Sequence, residues 1–160
     1  MGDDYLNNYE ELLHEADSKG VSVDEDYPLS EHLSGLYIDG NIALSNRLKT
    51  TAEKACVLAE ELGHHETTVG NIIDLSVSWN RKQERQARLN GYNRMIGLMG
   101  IIRAYEAGCQ NQHEIAEFLN VTEEYLLECV ECYRDKYGTM KSIDNYTIYF
   151  IPYLVVMKMV

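Results

Sequence analysis

The sequence predicts an α+β fold in which a small antiparallel sheet packs on one helix, followed by a helical region and C-terminal strands. Three observations carry this. Asp39-Gly40 separates two short apolar runs, Gly35-Leu36-Tyr37-Ile38 and Asn41-Ile42-Ala43-Leu44-Ser45, and an Asp-Gly pair so placed is a strong hairpin signal. Ala52, Ala55, Cys56, Ala59 and Gly63 form a small-residue stripe at helical spacing, which lets a helix sit close to a sheet. Towards the C-terminus, Tyr146, Ile148 and Phe150 alternate with Thr147, Tyr149 and Ile151, the period of a strand. The expected organisation is a core over residues 1–96, a helical subdomain resembling a helix-turn-helix over 97–137, and strands over 138–160 that pack on the core.

Composition narrows the function. A chain of 160 residues with 45% hydrophobic content can bury a core and is not a disordered tail. Its formal charge of −12 suits it poorly to gripping phosphate backbones, which argues against a general nucleic-acid binder. Met1-Gly2-Asp3-Asp4 is acidic where a secretory signal would be basic and then apolar. The apolar stretch 148–156 is too short to span a bilayer and contains Pro152, so no membrane role is expected. Cys56, Cys109, Cys129 and Cys132 make no disulfide framework, and a reduced, cytoplasmic protein is the simplest reading.

Taken in order, Tyr5, Leu6, Tyr9, Leu12, Leu13 and Ala16 predict an amphipathic helix over 4–18, capped by Asp3 or Asp4 and ended by Gly20. His14 on this helix reads as a solvated or core-edge residue. Val21-Ser22-Val23 reads as a short strand and Asp24-Glu25-Asp26 as a solvated loop. After the hairpin, Thr50 and Glu53 fit a capping box that opens the small-residue helix. Residues 66–70 look loop-like. A densely charged helix then starts near Ser78 or Asn80 and runs to about Met95. Another covers 97–107 and stops at Gly108. Residues 114–119, a turn at Asn120-Val121 and a helix over 122–136 complete the helix-turn-helix-like region. The second of these helices carries Glu123, Glu124, Glu128 and Glu131, which would face phosphates unfavourably. Packing or partner docking is therefore expected of it, and a DNA-binding regulator is the third choice of function.

Chemistry concentrates in Glu60-Glu61-Leu62-Gly63-His64-His65. From Glu60 to His64 this is the zinc-protease pattern H-E-x-x-H with Glu in place of its first His. Positions four apart stack on one helix face, so Glu60 and His64 can grip one metal ion. Glu61 is rotated by about 100°, where it can act as general base on a water. A catalytic zinc needs three protein ligands and an open position. Glu84, on the following helix, is the best third ligand, with Asp74 the runner-up. His65 is the competing imidazole, although pairing it with Glu61 would put Leu62 in the base position. His65 and Tyr92 are also candidates to stabilise an oxyanion. Two patterns are set aside: His113-Glu114-Ile115-Ala116-Glu117 ends in Glu, and Cys129-x-x-Cys132 lacks a second pair.

The run from Lys54 to His64, followed by Thr67-Thr68-Val69-Gly70 and by Lys82-Gln83-Glu84-Arg85-Gln86-Ala87-Arg88, resembles the ImmA/IrrE family of metallo-endopeptidases. Gly35-Leu36-Tyr37-Ile38-Asp39-Gly40-Asn41-Ile42 resembles the hairpin that precedes the family's motif, and the similarity reaches Tyr137-Gly138. The resemblance implies a zincin-like fold, bound zinc or another divalent metal, and a partner that is a transcriptional repressor of helix-turn-helix type, cleaved or inactivated in a phage or mobile element. It implies that His64 and Glu84 are metal ligands and Glu61 the general base. Glu60 is the departure, standing where the family motif has His. Zinc accepts carboxylate oxygen, so a Glu60, His64 and Glu84 set is possible, harder and more anionic than a two-His set. A non-catalytic antirepressor that only binds its partner is the alternative.

Overall fold

In the computed structural model, residues 7–67 and 77–160 are described, with side chains for all of these except 77–80. The elements run α1 (Asn8–Ser18), β1 (Ser22–Tyr27), β2 (Gly35–Ile38), β3 (Asn41–Ser45), α2 (Thr51–Thr67), α3 (Val77–Met95), α4 (Gly97–Glu106), α5 (Gln112–Leu119), α6 (Glu123–Tyr137), β4 (Met140–Ile143), β5 (Tyr146–Tyr149) and β6 (Val155–Lys158). The chain divides into two compact units, the first ending at Gly91 and the second starting at Tyr92. The fold class is α+β. Among the described residues, no helix is long and apolar enough to cross a membrane.

In the first unit, Asp39 and Gly40 both take positive φ, 47° and 78°, and turn β2 back antiparallel onto β3. That matches the hairpin expected from the Asp-Gly pair. The sheet is not purely antiparallel, however. β1 pairs parallel with β3, giving the order β1-β3-β2. It also runs through Asp24, Glu25 and Asp26, which the sequence suggested were loop. All three are exposed, as charged residues on an edge strand usually are, and there they oppose pairing with another chain. Tyr9 of α1 donates to Glu25 and ties this edge to the helix.

The cap of α2 is the expected pair, Thr50 and Glu53, whereas that of α1 lies further along the chain than the sequence suggested. α1 begins at Asn8 because Asn7 and Glu10 form a complete capping box, an Asn-x-x-Glu signal that Asp3 and Asp4 overshadowed. Asp3 and Asp4 lie outside the described residues. In α2 the Thr50 hydroxyl accepts from the Glu53 N–H at 3.1 Å, while the Glu53 carboxylate accepts from the Lys49 N–H at 3.4 Å. The helix continues through Glu66 and Thr67, two residues that read as loop. It packs on β2 and β3, burying Ala55, Leu58, Ala59 and Leu62 with Ile42 and Leu44. Of the small-residue stripe, Ala55, Cys56, Ala59 and Gly63 are buried and Ala52 is partly exposed, and Gly63 lies against α3 rather than the sheet.

In the second unit, α5 and α6 are joined by Asn120 in left-handed conformation and Thr122 as N-cap. Tyr133, Leu126, Cys129, Ile101, Ile102, Ile148 and Phe150 form the core. The three C-terminal strands make an antiparallel sheet in the order β4-β5-β6, and they pack against α4 and α6. The exposed face of α6 carries Glu123, Glu124, Glu128 and Glu131.

Candidate metal centre

The centre is built by two helices that lie very close together. A Cβ added at Gly63 on α2 would sit 2.3 Å from the carbonyl oxygen of Ala87 on α3, a contact no side chain can make. Glycine at 63 and fully buried alanine at 87 let the two backbones touch. Around that contact, Glu60 meets Arg88 and His64 meets Glu84, so the helices run antiparallel here. His64 Nε2 lies 3.5 Å from Glu84 Oε1. One donor atom from each of Glu60, His64 and Glu84 falls within 4.8 Å of the others. The three residues nominated as ligands are thus gathered at one point. Asp74, the runner-up, lies outside the described residues.

The donor set itself can be tested for fit. It holds two carboxylates and one imidazole, and the Glu84 side chain is about half exposed, so the cluster opens to solvent on one side. Three protein donors with an open direction are what a catalytic zinc requires, and the carboxylates also accept harder divalent ions. Two anionic side chains this close repel unless a cation lies between them. The residues fit a divalent metal.

Glu61 lies beside this cluster, on its sheet side. Rotated about 100° from Glu60, it lies against the sheet, where a Cβ on Gly35 would be 2.8 Å from Glu61 Oε1 and 2.6 Å from Val57 Cγ1. Glycine at the start of β2 leaves the slot that the carboxyl fills. Only 8% of Glu61 is exposed. Burial pushes its pKa up from 4.5 to about 8, with the charges of Glu60 and Glu84 adding to the effect. It is a carboxyl prepared to hold or release a proton near neutral pH.

His65 also faces the sheet, and its Nδ1 is 2.8 Å from the Tyr37 hydroxyl, with the two rings edge to face. The spacing explains the match. Four residues along a helix rise about 6 Å, and two along a strand about 6.6 Å, so Glu61 and His65 register with Gly35 and Tyr37. His65 is consequently directed to Tyr37 rather than into the Glu60, His64 and Glu84 cluster. Sequence reasoning missed Tyr37, although its place two residues after a glycine on one strand face was the available signal. It also missed the Arg88 Nε to Glu60 Oε1 contact at 3.6 Å. Tyr92, the other oxyanion candidate, belongs to the second unit, where its hydroxyl donates to Glu128 at 3.3 Å and its ring packs on Tyr125.

The patterns set aside remain so. His113 is a surface residue paired with Glu123 and Glu117. Cys129 is buried on α6 among the core residues.

Compared with known families, residues 9–130 match the model of the IrrE N-terminal-like domain, the M78 peptidases. No curated protein and no solved structure matches the chain. The family match takes in both helices of the centre and the hairpin beneath it, and at family level it means a protease of metallopeptidase type. Covering about three quarters of the sequence, it settles the descent of the chain, which belongs to the IrrE N-terminal-like family of M78 peptidases.

Proposed function

We propose that this protein is a cytoplasmic, zincin-like, metal-dependent endopeptidase that cleaves, and so inactivates, a cognate helix-turn-helix repressor of a phage or mobile element. The single observation that carries the reading is the convergence of Glu60, His64 and Glu84 within 4.8 Å, beside a buried Glu61. Zinc or another divalent ion held there would polarise the scissile carbonyl and activate a water. The chain supplies the proton traffic. Glu61 takes the proton of the attacking water and delivers it to the leaving amine, and its raised pKa keeps both directions within reach near pH 7. Gly35 gives this carboxyl its low-dielectric slot, and the Gly63 to Ala87 contact sets the distance between the helices that carry the donors.

Metal analysis of the purified chain after reconstitution with zinc or manganese tests this most directly. A stoichiometric metal, lost on Glu84→Ala, is expected. A wild-type chain that stays substoichiometric would remove the enzyme reading and leave the non-catalytic antirepressor, which Glu60 favours by replacing a histidine and by meeting Arg88 instead.

A further inference from the structure

The charge of α3 runs against that of the protein. Five of the chain's fourteen Lys and Arg residues lie on this helix, Arg81, Lys82, Arg85, Arg88 and Arg94, with Glu84 as its one acid, while the chain as a whole carries −12. Going round the helix from Ala87, which touches Gly63, one passes Glu84, then Arg88, Arg81 and Arg85 in turn. The three arginines therefore form one exposed stripe along the open side of the metal centre, about 10 Å long.

Neutralising the centre's own carboxylates accounts for Arg88 alone, since that is the arginine that meets Glu60. Arg81 and Arg85 lie further round. Neither makes an ion pair among the described residues, and Glu84, four residues from Arg88 and one from Arg85, turns instead to His64. Two exposed guanidinium groups side by side repel each other weakly and gain most when a planar anion bridges them.

We infer that Arg81, Arg85 and Arg88 form a docking stripe for an acidic segment of the partner protein, holding Asp and Glu side chains of that segment alongside the metal centre. The occupant is a peptide rather than a nucleic acid. The stripe is too short to follow a duplex, and a phosphate row laid on it would run onto Glu60, Glu84 and the acidic remainder of the surface. Carboxylates spaced along a single chain can meet the arginines and leave the neighbouring acids untouched. The inference rests on the peptidase reading for the stripe's purpose, but its test does not need metal or cleavage.

The test is fluorescence anisotropy of the full-length protein, metal-free and metal-loaded, with labelled peptides of equal length rich in Glu, Gln or Lys. The Glu-rich peptide is expected to bind about tenfold or more tighter than the Gln-rich one, and to weaken as salt rises from about 50 mM to about 300 mM. Arg81→Glu with Arg85→Glu should abolish that preference while circular dichroism and metal content stay as in wild type. Arg81→Lys with Arg85→Lys should keep most of it, because the charge remains and only the bidentate geometry goes. Equal binding of the Glu-rich and Gln-rich peptides, preference for the Lys-rich one, an unaffected double Glu variant, or displacement of the Glu-rich peptide by duplex DNA would each overturn the inference. A chain that binds metal but shows no peptide preference loses the stripe and keeps the peptidase. One that prefers the Glu-rich peptide without ever binding metal loses the peptidase and keeps the stripe.

Discussion

Helix α2 presents two faces that differ by one residue's rotation, and they make opposite uses of the same residue types. On the face towards α3, Glu60 and His64 meet Glu84 and Arg88 in a partly exposed, charged cluster. On the face towards the sheet, Glu61 and His65 meet Gly35 and Tyr37, and the carboxyl there is almost wholly buried. Exposure leaves the first pair of acids open to solvent and to a cation. Burial holds the second acid's proton on until near-neutral pH. A Glu-Glu pair in sequence thus places one carboxylate in a charged cluster and the other in a buried slot, and a glycine makes room in each case, Gly63 on α2 itself and Gly35 on the opposing strand.

Exchanging the base for a neutral isostere should produce the largest effect. Glu61→Gln keeps the side-chain shape and leaves the α3 face intact, so metal content is expected to hold while cleavage of the partner falls by about 10²- to 10⁴-fold. Undiminished cleavage would mean that the two faces are not divided in this way. The same variant reads the buried face without any substrate. A carboxyl whose folded pKa lies above its unfolded one binds its proton more tightly in the folded state. Its contribution to stability is complete below about pH 4.5 and is lost as the pH rises through about 8. The metal-free wild type should therefore lose more thermal stability than Glu61→Gln between pH 5 and pH 8, a difference of a few kcal/mol by the end of that range. Parallel Tm-against-pH curves would show that the carboxyl is not held in the slot.

Adding one methyl to each glycine compares the faces at their tightest points. At Gly63 the methyl meets the Ala87 backbone, which cannot swing away, whereas at Gly35 it meets the ends of Val57 and Glu61. Gly63→Ala gains about 1 kcal/mol of helix propensity but forces α2 and α3 apart, at a net cost of about 1–3 kcal/mol. Because α3 carries Glu84, metal affinity should drop by about tenfold or more. Gly35→Ala should destabilise by about 1 kcal/mol or a little more and leave metal affinity within about twofold. Chemical denaturation and metal titration of the two variants supply the comparison, and equal metal affinities would separate the Gly63 contact from the centre.

The division between the faces also explains how much could be read from sequence. Helix periodicity puts Glu60 and His64 on one face, and Glu84 was nominated from its place on the next helix; contacts local to a helix or a hairpin are legible because the backbone repeats. The pairing of β1 with β3 was not, since a strand of acids such as Asp24-Glu25-Asp26 has no apolar alternation and is held by its neighbour's backbone. Nor were the partners of His65 and Glu60. Tyr37 and Arg88 reach them across separate elements, and which side chain stands opposite depends on a register that no local pattern states.

The smallest effect concerns that cross-element pair. Tyr37→Phe removes one hydroxyl from the sheet face and leaves the ring that packs on His65, so the expected cost is about 0.5–1.5 kcal/mol, the net worth of one hydrogen bond. Metal content should not change, because His65 faces Tyr37 and the donors face α3. If the hydroxyl only anchors the helix to the strand, kcat and KM should both stay close to wild type once the protein is folded. If Tyr37 holds the His65 ring so that its other nitrogen meets the substrate, then kcat should fall at constant metal content, and His65→Gln should reproduce the fall without further loss in the double variant. Loss of metal in Tyr37→Phe would contradict both outcomes and show that the two faces of α2 are coupled through the helix rather than independent.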